Sequence, residues 1–203
     1  MVATSCCFKF MTPQQHKEYV EAQINEWHIP LSKRTLTLEG GLNSMGGFKL
    51  ESEDVPLIIK LVENPKYDIG LFAGNVSLYN HDCIHLLLGR GLRVKDEAFV
   101  IGFTMGSTKK MWRWRRNLYM FCAKYLFPEG YRFGEEERFI FNMGVMAGSQ
   151  CSADLSRADC SELKDFKIDY ARELLGIDKK LLKYCYEVER KCFPNSVESQ
   201  RLL

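Results

Sequence analysis

His81-Asp82-Cys83-Ile84-His85-Leu86-Leu87-Leu88-Gly89-Arg90-Gly91, followed six residues on by Glu97, is the stretch from which the fold of this 203-residue chain is best read. Only here do side chains that bind metals or move protons crowd together at regular spacing. On a helix over residues 76–88 each residue turns by about 100°. With His81 at 0°, His85 falls at about 40° and Asp82 at about 100°, so three potential ligands share one face. Gly89 and Gly91 break the helix. A reversal there returns Glu97, early in the next helix, toward the same point. Two imidazoles and two carboxylates suit one divalent metal with mixed nitrogen and oxygen ligation, held by His81, Asp82, His85 and Glu97. A single helical histidine is usually a packed or solvated residue. A pair at i, i+4 beside a carboxylate is much less often incidental.

Around that stretch the composition is ordinary. The length fits one domain, residues 1–203, with ample core and with its metal-site core at 76–106. Hydrophobic content of 46% and charge of 27% are those of a soluble globular protein. A net charge of +2 argues against nucleic acid as a partner. The longest uncharged central run, Ala98 to Thr108, falls far short of the roughly 20 apolar residues that span a bilayer. Met1 to Cys7 has no basic region ahead of an apolar one, so no signal peptide is expected. Cys6, Cys7, Cys83, Cys122, Cys151, Cys160, Cys185 and Cys192 form no C-x-x-C pair. Several occupy apolar helical positions, so they are expected to be reduced and mostly buried, in a cytoplasmic protein.

Periodicity predicts an all-α, single-domain multi-helix bundle of about six to eight helices. A first helix runs from a Thr12 cap and Pro13 to Pro30, with Val20, Ile24 and Trp27 on one face. Residues 31–51, containing Gly40-Gly41 and Gly46-Gly47, read as an irregular or short β connection. A second helix, capped by Ser52 or Asp54, turns Val55, Ile58, Ile59 and Val62 inward and ends at Asn64-Pro65. Asn75 is a candidate cap for the metal helix. After the glycine break a helix starts near Asp96 and kinks through Gly102 and Gly106, or restarts at Ser107. Glu135-Glu136-Glu137 opens a helix with Phe139, Ile140, Met143 and Met146 inward. Ser161 opens another with Leu163, Phe166, Tyr170 and Leu174 inward, closed by Gly176. Asp178 caps the last, with Leu181, Leu182, Cys185, Val188 and Cys192 inward. The segment from about Asn195 is expected to be mobile.

His81-Asp82-x-x-His85, eleven residues, then Glu97 resembles the signature of the coenzyme Q biosynthesis protein four family, a family of ubiquinone-pathway proteins. Gly89 also falls where that family has a glycine. The likeness covers residues 77–105 and is to a distant, bacterial member. It implies an α-helical fold and a divalent metal on His81, Asp82, His85 and Glu97, zinc ahead of magnesium or iron. It implies a bound polyprenyl or geranylgeranyl-type lipid and peripheral attachment to a membrane. The implied activity is oxidative decarboxylation of a prenylated hydroxybenzoate at C1. The alternative is a non-catalytic lipid-binding scaffold that organises other quinone-biosynthesis enzymes. A homodimer is among the expected assemblies. The run Ala98 to Ser107 is richer in glycine than the resemblance leads one to expect.

The residues also carry a chemistry of their own. A metal beside an aromatic carboxylate neutralises its charge and stabilises electrons left on the ring as carbon dioxide departs. Asp82 or Glu97, if one is not a ligand, can give or take a proton, so both are candidate catalytic residues. Gly89-Arg90-Gly91 is not a dinucleotide loop. A His-Asp phosphohydrolase is the weaker reading: it needs a further upstream histidine, and only His16 and His28 precede the stretch, in or beside the first helix. Phe103, Met105, Met111, Met120, Phe121, Met143 and Met146 are candidates to line an elongated lipid cavity, or simply to fill the core.

Five of the eight residues from Lys109 to Arg116 are basic, with Trp112 and Trp114 among them. On a helix, Met111, Trp114, Leu118, Phe121 and Tyr125 share one face; Arg113, Arg116, Asn117, Met120 and Lys124 share another. Lys109, Lys110, Trp112, Arg113, Trp114, Arg115 and Arg116 suit the boundary between headgroups and acyl chains of an anionic membrane. The alternative is a core helix with a solvated basic edge. A cytoplasmic, peripherally membrane-associated protein is expected.

Overall fold

Cys83 to Leu88 are apolar on every side except at His85, so this half of a helix must be covered all round. It is. In the computed structural model, which describes residues 26–45, 74 and 76–203, all six of these residues are buried. They form the second half of α2 (Leu78–Leu88), which follows α1 (Leu38–Ser44). Next come α3 (Val94–Ser107), α4 (Arg113–Tyr125), α5 (Glu135–Ser149), α6 (Ile168–Leu175), α7 (Lys179–Cys192) and α8 (Val197–Gln200). Short 3-10 turns lie at Glu129–Tyr131 and Cys160–Leu163. The architecture is an all-α multi-helix bundle. Among the described residues the only β pairing is one antiparallel bridge, Thr37 to Lys167.

The glycines of α3 and α5 set the tightest packing. A Cβ added at Gly102 would lie 2.3 Å from the Phe141 carbonyl oxygen, and one at Gly106 2.3 Å from that of Val145. One at Gly144 would lie 2.5 Å from the Phe99 oxygen, and one at Gly148 2.1 Å from that of Phe103. Each helix thus presents two glycines four residues apart to the other's backbone, the small-xxx-small pattern that lets helices approach closely. The contacting positions advance together, so α3 and α5 run in the same direction. This explains the glycine-rich run Ala98 to Ser107, which lies in one unbroken helix; that helix ends at Ser107 and the chain restarts as α4 at Arg113.

Several other expectations are corrected. Gly40-Gly41 lies inside α1, whose Thr37 cap accepts from Gly40 N at 3.1 Å. A Cβ at Gly41 would meet the end of the Leu86 side chain at 2.8 Å. On α5 the inward residues are Ile140, Phe141, Met143, Gly144, Val145, Ala147 and Gly148, while Phe139 and Met146 are exposed. On α6, Ile168, Ala171, Arg172 and Leu175 point in; Phe166, Tyr170 and Leu174 are exposed. On α7, Cys192 is exposed and Glu189 is buried. The segment after Asn195 is docked: it forms α8, buries Ser199 and Leu202, and ties Arg201 to Asp96 at 2.7 Å. Of the helix expected at 12–30 only residues 26–30 are described: Glu26 is helical and residues 27–30 are not, so the helix does not reach Pro30. The helix expected at 52–64, residues 46–51 and the Asn75 cap lie outside the described residues. The cap of α2 is Ser77, whose hydroxyl accepts from Asn80 N at 3.3 Å.

Candidate metal centre

His81 and His85 stand one turn apart on α2, with ring centroids 4.7 Å apart at an interplanar angle of 70°. Glu97 arrives in the first turn of α3, where the helix dipole favours an acidic side chain. Its Oε2 lies 3.4 Å from His81 Nε2 and its Oε1 3.2 Å from His85 Nε2. One ligand atom from each of the three residues falls within 4.8 Å of the others, so the group could hold a metal ion. His85 is completely buried; His81 and Glu97 are partly covered at its rim. Asp82 is not part of this group. Its place about 100° round the helix, against about 40° for His85, takes it off the shared face.

The proton count shows what the trio could accept. His85 Nδ1 lies 2.6 Å from the Gly91 carbonyl oxygen, which can only accept, so Nδ1 carries the proton. In the neutral ring Nε2 is then a bare lone pair facing a carboxylate oxygen at 3.2 Å. That arrangement is stable only with a proton or a cation between the two atoms. Burial pushes the Glu97 carboxyl up, but the charges of His85 and His81 outweigh it and hold the group well below the usual carboxylate range. The N···O separations match the edge of a tetrahedral shell, about 3.3 Å for ligands about 2.0–2.1 Å from zinc. A histidine that donates its other nitrogen to a carbonyl is also the usual outer arrangement of a metal ligand. Cys83, between the two histidines, is not a ligand. Its contact with the Cys160 thiol and its burial raise it, keeping it a thiol.

Sequence reasoning missed what holds this pair of helices in register. Gly89 takes the left-handed conformation, φ 68°, and closes α2. The end is buried, so its orphan carbonyls need partners. Arg90 N and Gly89 N reach the His85 oxygen. Arg172 donates to Leu86 O at 3.2 Å and Leu87 O at 2.7 Å, and the Tyr186 hydroxyl donates to Leu88 O. His28 Nε2 lies 3.1 Å from Gly89 O. The Arg90 guanidinium, fully buried, forks onto Glu189 at 3.1 and 2.6 Å. It is sandwiched between the rings of Phe99, 4.1 Å away, and Tyr186, 4.3 Å away. Ser199 Oγ donates to Glu189 at 2.9 Å, and Arg201 completes Asp96. This network fixes the turn whose Gly91 carbonyl orients His85. The signal in the sequence was a charged residue between two glycines, where neighbouring backbone and side chains come close.

The remaining candidates do not gather into one site. Phe103, Met105 and Met143 are core residues, Met111 and Met120 are partly buried, and Phe121 and Met146 are exposed. Two shallow clefts, of about 460 and 450 Å³, lie at Trp27–Ser44 and Pro194–Arg201, and none of those seven residues lines either. On α4 the buried side chains are Tyr119, Cys122 and Ala123, so the Trp114-Phe121-Tyr125 face is not core. Five of the six described cysteines are buried, and all six are unbridged. No helix among the described residues is long and apolar enough to cross a membrane. Compared with models of protein families, with curated proteins and with solved structures, the chain matches none.

Proposed function

We propose that the chain binds one divalent cation, zinc in the first instance, through His81, His85 and Glu97. We propose further that the site acts on a prenylated hydroxybenzoate in quinone biosynthesis. The observation that carries the metal reading is the convergence of two imidazole Nε2 atoms on one carboxylate, with His85 Nδ1 already committed to Gly91. Three protein ligands leave a fourth position for water or substrate, the pattern of catalytic sites. The substrate class rests on the resemblance of the His-Asp-x-x-His…Glu spacing.

When bound, the cation would neutralise the substrate carboxylate and stabilise negative charge developing on the ring. The chain's own part is positional. Gly91 keeps His85 in one tautomer, and the buried flank of His85 excludes water. The partly exposed edge at His81 and Glu97 is the side from which a carboxylate enters. Asp82, the next residue along α2, is the carboxylate proposed to move a proton. The overall change replaces the C1 carboxylate by a hydroxyl. One water supplies the oxygen, carbon dioxide leaves, and two protons and two electrons pass to an acceptor such as dioxygen. A second reading, a lipid-binding scaffold with a structural metal, is favoured by the scattering of the seven Phe and Met candidates. Release of labelled carbon dioxide from the C1 carboxylate of a 4-hydroxy-3-polyprenylbenzoate distinguishes the two. The catalytic reading expects release by the metal-loaded protein and its loss in Glu97→Gln with the helical circular dichroism retained. No release by the metal-loaded protein under several oxidants would leave the scaffold.

A further inference from the structure

Helix α4 turns its aromatic stripe outward. It packs on the body through Tyr119, stacked 5.1 Å from the Phe141 ring, and through Cys122 and Ala123. Taking Tyr119 as 0°, Phe121, Trp114 and Tyr125 fall at about 200°, 220° and 240°, directly away from the body. Their exposures agree: Trp114 50%, Phe121 54% and Tyr125 58%, with Trp112 just ahead of the helix at 68%. Three aromatic rings in a row on the outside of one helix are not packing residues, and solvent alone gives no reason for them.

The charge beside them is also unbalanced. The chain from Lys109 to Phe127 contains no acidic residue. Among the described residues Lys124 pairs with Glu135 at 3.6 Å, but Lys109, Lys110, Arg113, Arg115 and Arg116 have no carboxylate within ion-pair distance. Arg115 lies instead over the Trp114 ring, 5.2 Å from its centroid. Lys109 is the one described non-glycine residue with positive φ, 57°, and there the chain turns from α3 into this basic segment.

We infer that α4 and the turn before it dock the protein, in the plane of the interface, on an anionic lipid bilayer. Trp and Tyr side chains prefer the level of the headgroups, and an outward aromatic stripe with cations at its end matches an interfacial helix. The cations supply the choice of anionic over neutral lipid, each basic residue being worth roughly a factor of five in binding near such a surface. This inference stands on α4 alone and is independent of the metal reading.

Flotation of the full chain with phosphatidylcholine vesicles, with and without phosphatidylserine, tests it. Binding is expected only with phosphatidylserine, weakening as salt rises. Tryptophan emission should shift to the blue on binding. That shift should vanish in Trp112→Phe/Trp114→Phe, where Trp27 is the last of the three tryptophans. Replacing Lys109, Lys110 and Arg113, all exposed, by Gln should cost roughly 100-fold in partitioning with circular dichroism unchanged. Equal binding to both vesicles, binding to neither, or undiminished binding of the triple variant overturns the inference. Tight binding to a single-stranded oligonucleotide without vesicle binding would reassign the surface to nucleic acid and overturn it as well.

Discussion

Replacing Arg90 by Met removes the charge at the centre of the turn between the helices that carry His81, His85 and Glu97. The substitution deletes two hydrogen bonds to Glu189, of 3.1 and 2.6 Å, and a 3.8 Å contact with Asp96. Asp96 keeps Arg201 at 2.7 Å, but Glu189, fully buried, is left with the Ser199 hydroxyl among its described partners. Burial disfavours the Arg90 cation, yet Glu189, Tyr186 and Asp96 together outweigh it and raise its affinity for the proton. Met fills part of the slot between Phe99 and Tyr186, so most of the loss is the stranded carboxylate. Breaking a buried pair from one side costs about 3–5 kcal/mol. At about 2–4 °C per kcal/mol for a chain of this size, the midpoint should fall by roughly 6–20 °C. Glu189→Leu should cost a similar amount. The double variant should cost well below the sum, because no charge is then left alone. Urea unfolding followed by circular dichroism, with equal slopes checked, measures the cycle. A loss under about 1 kcal/mol for Arg90→Met, or an additive cycle, would refute the reasoning.

Two smaller expectations follow from the packing. Gly148→Ala gains about 1 kcal/mol of helix propensity, but its Cβ would sit 2.1 Å from the Phe103 backbone oxygen, which cannot swing aside. Forcing α3 from α5 should outweigh that gain and leave a net loss of roughly 1–2 kcal/mol by urea unfolding. Gly130→Ala, with nothing within 4 Å, should change stability by less than about 0.5 kcal/mol; equal effects at both sites would contradict the crossing. Burial lowers the pKa of His28 in the fold, so the unfolded chain takes up a proton first. Its contribution is present above about pH 6.5 and lost as the pH falls below it. His28→Gln, which keeps a donor for Gly89 O, should flatten that part of the stability–pH curve; identical curves would remove His28 as a cause.

The amphipathic repeats and the glycine break made the helices legible, because both act within a turn or two of the chain. The His81-His85-Glu97 convergence was legible for the same reason, since the i, i+4 pair needs only helix geometry. Asp82 falls outside the His81-His85-Glu97 group, its position about 100° round the helix lying farther from His81 than the roughly 40° of His85. The inward faces of α5 and α6 were read only in part, because large apolar side chains were taken as core. At α5 the expected Ile140 and Met143 do face inward and Phe139 and Met146 do not, while the positions against α3 are Gly144 and Gly148, because α3 comes too close for anything larger. Arg90, Arg172 and Glu189 were illegible: their partners lie between 85 and 141 residues away for the bonds to Leu86, Leu87, Leu31 and Glu189, and no local pattern announces them.

Metal content decides the central claim. The purified chain, dialysed against trace zinc and analysed by plasma mass spectrometry with protein quantified in parallel, should carry one zinc per chain. His85→Ala and Glu97→Gln, folded by circular dichroism, should lose it. Because imidazole must shed its proton to coordinate, retention should fall as the pH drops through about 6.5. A folded chain that takes up no divalent metal, or a His85→Ala variant that keeps full occupancy, would contradict the account.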